Sequence, residues 1–364
     1  MSSSGGPATP TVDDDAPDQG PESWNDGASE PVRPRVVVSQ CLGFAAVRYN
    51  GRVLKSRFVE ALRNHVDFIQ VCPEVEIGLG VPRDPIRIEV ERDEGAGASG
   101  KPQDETSRQL RLVQPSTGRD LTAAMTGFAS AYTRTLEGVD GFILKSKSPS
   151  CAFRDSKMYR AGGEGGPIGR GPGLFARAVL EAYPWAAKED ERRLTNPRLR
   201  HQFLTHLWAL ARLRRVEAPG GMSKLVRYHA SYEFLLVTLG PDVRARLERI
   251  VANPGSRSLS ELVEEYRRTL GEALRDPPRT GHTVNALQHV FGQVSEGLDR
   301  EERAYFLELL QEFRRGRTTL PALLAVLRSW AVRLDREYLD AKHFFEPYPR
   351  PLFDLSSSGD GLLV

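Results

Sequence analysis

Cys41, Cys72 and Cys151 are the only cysteines in this 364-residue sequence, and each lies at or shortly after the end of a short apolar run. The runs are Val36-Val37-Val38-Ser39-Gln40, Asp67-Phe68-Ile69-Gln70-Val71 and Gly141-Phe142-Ile143-Leu144-Lys145. Three thiols brought to one place would be a soft ligand set, suited to zinc, copper(I) or an iron–sulfur cluster. A structural zinc site usually has four ligands, often with Cys-x-x-Cys pairs. This chain has no such pair, and His65, the one histidine of the first half, falls near the end of a predicted helix. A cuboidal 4Fe–4S cluster normally takes four cysteines, so three would leave one iron without a cysteine. The plain alternative is that the thiols are small buried apolar groups.

The runs that carry the cysteines are rich in Val, Ile and Phe and read as buried strands. Helical patterns separate them, which predicts a mostly parallel sheet whose strand ends share one edge. Ligands bind at that edge in open α/β sheets. Helices are predicted from about Ser56 to Asn64, from Leu121 to Leu136 with Asp120 as cap, and from Leu174 to Ala182. Further strands are expected over Ile86–Val90 and Gln109–Val113, with a polar loop over 91–107 between them. A Gly-dense stretch from Gly162 to Gly173 lacks the Lys-Ser/Thr ending of a phosphate loop and reads as a flexible cover over the site.

From about Lys188 the pattern reads as helices alone. One is expected from Ser223 to Leu239, one around Leu262 to Leu274, one opened by the Asp299…Glu302 capping box, and one from Thr319 to Leu334. Residues 1–33 are rich in Ser, Gly, Pro, Asp and Glu and read as a disordered tail. The expected organisation is thus a tail over 1–33, an α/β domain over 34–187 and an all-α domain over 188–364. The composition, 40% hydrophobic and 27% charged with a net charge of +2, is that of a globular chain and gives no strong argument for nucleic acid or membrane. There is no apolar run of about 18 residues to span a bilayer. The N-terminus does not read as a secretory signal, and the odd cysteine count argues against a disulfide framework, so a reducing cytoplasm is expected.

Several motifs occur in order: Val38-Ser39-Gln40-Cys41-Leu42, Val47-Arg48-Tyr49-Asn50-Gly51, Val71-Cys72-Pro73-Glu74-Val75-Glu76-Ile77-Gly78-Leu79-Gly80-Val81-Pro82-Arg83, and Leu144-Lys145 with Ser148-Pro149-Ser150-Cys151. Together they resemble the 2-thiouracil desulfidase family over about residues 35–183. The second half is similar to the YbgA-type helical domain through Arg193-Leu194-Thr195-Asn196-Pro197, Leu225-Val226-Arg227-Tyr228-His229, Asn285-Ala286-Leu287-Gln288-His289 and Phe313-Arg314-Arg315-Gly316. The first resemblance implies that Cys41, Cys72 and Cys151 hold a 4Fe–4S cluster with one open iron. It also implies an enzyme that removes sulfur from a thiolated nucleobase or related heterocycle and releases sulfide without net redox change. Two positions depart from the family pattern: Gly43-Phe44 replaces Leu-Gly after Cys41-Leu42, and Ala152 replaces the Gly after the last cysteine.

Within that frame Glu74 is the expected proton-transfer group, its plain alternative being a loop carboxylate paired with Arg83. Ser148 is expected at the substrate, with Ser150 the more natural partner of loop backbone. Lys145 would offset thiolate charge or lie at the surface, and Arg48 and Tyr49 would line the pocket by charge and stacking. His229, His282 and His289 have no ligand pattern. Arg314-Arg315-x-Arg317 can meet nucleic acid, although such a run more commonly ends a helix. The alternatives to an enzyme are a cluster-bearing sensor or binding module without turnover, and a structural zinc protein.

Overall fold

The computed structural model describes residues 31–91, 110–162, 165–217, 221–253, 255–336, 339 and 342–353. The tail expected over 1–33 and the loop expected over 91–107 lie almost wholly outside the described residues.

Three valines set the central strand. In β1 (Arg35–Ser39), Val37 packs on one face of the sheet while Val36 and Val38 pack on the other, the period-2 alternation of a strand covered on both sides. β1 pairs in parallel with β2 (Asp67–Val71) and with β6 (Gly141–Leu144), and β6 pairs in parallel with β9 (Ala187–Asp190), giving the order β2-β1-β6-β9. Helix α1 (Arg57–Leu62), capped by the Ser56 hydroxyl, crosses from β1 to β2, and α2 (Pro73–Glu76) follows β2 directly. Helices α3 (Thr122–Thr135) and α4 (Leu174–Ala182) cover the Val37 face, where Met125, Ala129, Phe175 and Val179 meet Phe142 and Leu144. Asp120 does not occupy the cap position of α3. It belongs to strand β5 (Arg119–Asp120), and its carboxylate accepts the Thr122 N–H at 2.8 Å.

A second sheet, not expected from the sequence, has the order β5-β4-β3-β7-β8. β3 (Arg87–Val90) runs antiparallel to β4 (Leu110–Gln114) and parallel to β7 (Ser156–Arg160); β5 (Arg119–Asp120) and β8 (Gly169–Gly171) close its edges. Within the Gly-dense stretch, Gly169–Gly171 pairs with β7 rather than forming a free cover; residues 163–164 lie outside the described residues.

The sheet also extends past the point where only helices were expected, because Ala187–Asp190 is its fourth strand. The other helices are α5 (Pro197–Arg214), α6 (Met222–Ser231), α7 (Glu233–Thr238), α8 (Pro241–Ala252), α9 (Leu259–Ala273), α10 (Thr280–Val294), α11 (Arg300–Arg314) and α12 (Leu320–Arg333). The single helix expected over Ser223–Leu239 is two, broken at Tyr232, whose buried ring stacks beside Tyr228. Asp299 and Glu302 form the capping box of α11 as expected. Phe203, Leu207 and Trp208 of α5 pack with Val36, Val38 and Ile143 on the sheet face shared with α1. At Gly271 of α9 an added Cβ would stand 2.2 Å from the Trp185 carbonyl oxygen, so a glycine is needed for that close approach. No described helix is long and apolar enough to cross a membrane.

Candidate active site at the parallel-sheet edge

Each strand of the parallel sheet ends in a residue with chemistry. Cys41 lies two residues past β1, Cys72 one past β2, Lys145 one past β6, and Glu191 one past β9. The loop after β6 then brings in Ser148, Ser150 and Cys151. All three cysteines are free; Cys151 is buried, and Cys41 and Cys72 are half-buried.

The thiols sense one another. Burial pushes Cys41 up to about 12, and the neighbouring charge of Cys72 pushes in the same direction, against Lys145. Burial likewise raises Cys72, and it raises Cys151 well above the ordinary thiol range, where Ser39 opposes the shift by a hydrogen bond. Burial of this kind favours protonated thiols, and a bound cationic group would displace the protons. Among the described residues no three His, Cys, Asp or Glu side chains converge as a site for a single metal ion. Three thiols are a soft donor set of the kind that iron–sulfur clusters, zinc and copper(I) take.

Glu74 stands on the first turn after Cys72. One of its oxygens, Oε2, accepts from Arg83 Nε at 2.9 Å and Nη2 at 2.5 Å. The pair is mostly covered, with the Arg83 side chain 6% and that of Glu74 13% exposed. Arg83 is itself fixed: its Nη1 donates to the Val47 carbonyl at 3.0 Å, and its backbone N–H donates to the Tyr49 carbonyl at 2.8 Å. The second oxygen, Oε1, accepts from the Ser150 hydroxyl at 3.1 Å and from Ser148 at 3.4 Å. The pairing with Arg83 raised as the plain alternative is therefore present, and it occupies one carboxylate oxygen only.

Ser148 Oγ accepts the backbone N–H groups of Ser150 and Cys151 at 3.2 and 3.0 Å, so it is Ser148 that shapes the loop. Ser150, fully buried, turns its hydroxyl to Glu74. Lys147 in the same loop adopts φ +61° and donates its N–H to Asp155. The N-terminus of α4 rests directly on this loop, with Leu174 N–H on the Pro149 carbonyl and Ala176 N–H on that of Ser150. At Gly173 an added Cβ would lie 2.5 Å from the Ser150 carbonyl carbon and oxygen. Ala152, one of the departures, is buried, and its N–H and carbonyl bond to the Ser148 carbonyl and the Gly173 N–H. Gly43, the other departure, takes φ +94°, a conformation that suits glycine. Arg63 holds the Gly43 carbonyl and lies over the Phe44 ring at 4.3 Å.

Lys145 is not a loose surface residue. Its Nζ donates to Glu191 Oε1 at 2.6 Å, and Glu191 also accepts the Ser146 N–H at 2.8 Å and hydroxyl at 2.9 Å. The backbone N–H of Lys145 donates to the Ser39 hydroxyl, which ties the ends of β1, β6 and β9 together. Glu191 escaped the sequence reading because β9 was not recognised; the only signal was a carboxylate after a short strand-length segment. Arg48 and Tyr49 lie on the turn after Val47. Arg48 stands 5.9 Å from the Tyr49 ring centroid, and Tyr49 is 45% exposed. Tyr49 joins the constellation through its backbone carbonyl, which accepts the Arg83 N–H. His229 meets the Tyr266 hydroxyl at 3.0 Å, a helix-packing contact.

Residues 36–191 match the sequence family described as 2-thiouracil desulfurase, and residues 234–349 match DUF1722, a family described as of unknown function. The chain is 26% identical over 158 residues to the uncharacterized protein YbgA of Escherichia coli (strain K12), covering 43% of this chain and 93% of that protein. It is 32% identical over 159 residues to the uncharacterized protein YbbK of Bacillus subtilis (strain 168), covering 43% of this chain and 96% of that one. A solved structure of the 4Fe–4S-dependent thiouracil desulfidase TudS is 26% identical over 44% of this chain and 93% of its own, with a TM-score of 0.31.

Proposed function

The chain belongs to the 2-thiouracil desulfurase family over residues 36–191, and on that premise we propose that it removes sulfur from a thiolated pyrimidine or a related thione, exchanging C=S for C=O with water and releasing sulfide. The observation that carries this reading is Glu74, held by Arg83 through one oxygen while the other is turned toward the serines of the Cys151 loop. Cys41, Cys72 and Cys151 would hold a 4Fe–4S cluster. When bound, that cluster supplies an iron free of cysteine, a Lewis acid suited to a thione sulfur.

The other groups are the chain's own. Glu74 Oε1 takes a proton from the water that attacks the thione carbon, and Arg83 keeps the carboxylate aimed throughout. Ser150 and Ser148, both on Oε1, orient the water and relay the proton toward the departing sulfur. Lys145, braced by Glu191, offsets the negative charge gathered at Cys41. Arg48 and Tyr49 form the outer wall that a flat ring would meet. The net reaction consumes one water and yields one sulfide, with no oxidant or reductant.

The test is anaerobic reconstitution, followed by iron and acid-labile sulfide analysis and an assay of sulfide release from 2-thiouracil. About four irons and four sulfides per chain are expected, as for a cuboidal cluster, together with uracil as product. A cluster without turnover would leave a sensor or binding module. Stoichiometric zinc, or no metal, would overturn the reading.

A further inference from the structure

A cavity of about 450 Å³ opens among the helices of the second half, a size usual for small-molecule sites. Its walls come from the start of α5, from α7, from the Pro277-Pro278 link between α9 and α10, from the turn joining α11 to α12, and from the segment with Phe344 and Pro347. None of these elements carries a cysteine, and none takes part in the sulfur chemistry. Two of the motif stretches that mark the YbgA-type resemblance meet here, one supplying Pro197 and the other Phe313 and Gly316.

The lining selects a chemistry. Five prolines and two phenylalanines offer flat apolar faces, and six threonines with Gln202 offer neutral hydrogen-bonding groups. No Asp, Glu or Lys lines the cavity. Burial keeps His201 neutral by lowering it to about 4, and the single permanent charge is Arg198, exposed at the rim and already donating to the Pro278 carbonyl. An ion seated inside would be desolvated without a partner, and a hydrocarbon would leave the polar groups unpaired. Gln202 is buried and spends one amide N–H on the Leu274 carbonyl at 2.8 Å. Its second N–H and its carbonyl remain, the complement of a lactam edge with adjacent C=O and N–H. Thr205, on the same wall, has a buried hydroxyl with no hydrogen-bond partner.

We propose that this cavity binds a neutral nitrogen heterocycle of base-to-nucleoside size, with its lactam edge at Gln202. The cavity stands apart from the desulfurase reading, whereas the choice of a pyrimidine as probe rests on it. The experiment is calorimetric titration of the full chain and of its Cys72→Ser variant with uracil and with uridine. One site per chain is expected in both proteins. Gln202→Leu should weaken it by about ten-fold, the worth of a hydrogen bond lost in a desolvated site, and Thr318→Trp, which fills the cavity from a half-buried turn, should abolish it. Melting curves show which variants fold; if Gln202→Leu does not, Thr318→Trp decides alone. Absence of binding to the wild-type chain, binding that survives Thr318→Trp, or binding lost only in Cys72→Ser would overturn the proposal. Binding at the cavity without any sulfide release from 2-thiouracil would overturn the desulfurase reading and leave the cavity standing.

Discussion

Arg83 sets two N–H groups on the same oxygen of Glu74 and thereby leaves the other oxygen to the Ser150 hydroxyl. The carboxylate is aimed on one side and available on the other, although 87% of its side-chain surface is covered (13% exposed).

Glu74→Gln keeps the size of the side chain and removes its basicity. It should retain iron and sulfide while sulfide release falls by about 10²–10⁴-fold, the usual worth of a general base. Arg83→Met should instead show in stability. A buried carboxylate that loses its partner costs about 3–5 kcal/mol, so urea unfolding should move further for Arg83→Met than for Glu74→Gln. Equal turnover in Glu74→Gln and the parent would remove Glu74 from the mechanism.

Cys41→Ser, Cys72→Ser and Cys151→Ser should each bring iron and acid-labile sulfide to background after reconstitution, because three thiolates leave no spare ligand. A variant that keeps a full complement identifies its cysteine as a packing residue.

Gly173→Ala tests how tightly α4 is set on the Cys151 loop. The new methyl would sit 2.5 Å from Ser150 backbone atoms that cannot rotate away. Overpacking of this sort costs about 1–3 kcal/mol, and the loop that carries Ser150 and Cys151 must shift. A lower Tm together with lower cluster occupancy is expected; an unchanged Tm would show that the helix end can slide.

His206 on α5 predicts the acid limb of stability. It is buried, its Nε2 meets the Trp185 carbonyl at 2.9 Å, and burial with Lys188 and Arg275 nearby lowers it from 6.5 to about 3. The folded state keeps the ring neutral while the unfolded chain protonates it below about 6.5. Stability is therefore complete above that pH and falls by about 1.4 kcal/mol per pH unit toward 3 from this group alone. His206→Gln can keep a donor for the Trp185 carbonyl and cannot titrate, so its urea midpoint should fall less between pH 6.5 and 5 than that of the parent.

The three cysteine-bearing strand ends were legible because β1, β2 and β6 are dominated by Val, Ile, Phe and Leu; burial on both faces demands that of β1 and β6, and the edge strand β2 keeps Phe68, Ile69 and Val71 although it is only partly covered. β9 was not, for the opposite reason. Ala-Lys-Glu-Asp contains no β-branched or aromatic residue, and it holds its edge position through pairing with β6. With β9 went Glu191, and with Glu191 the bracing of Lys145. That Glu74 stands beside Cys72 follows from sequence adjacency alone. The division of its two oxygens depends on Arg83 nine residues on and Ser150 seventy-six residues on, which only the folded chain brings together. Helices α8 and α10 were missed where short links, such as Pro277-Pro278, interrupt the apolar pattern.

The place of β9 bears on how the protein can be divided. A truncation after residue 187 would remove most of this strand and leave the backbone groups of β6 as a bare parallel edge, bordered by the fully buried Phe142, Ile143 and Leu144. Such an edge invites pairing between copies. The sheet face that α5 covers would be uncovered by the same cut. An isolated N-terminal fragment that runs through α5 keeps both the edge and the face closed, whereas one that ends before β9 should self-associate into sheet-rich aggregates.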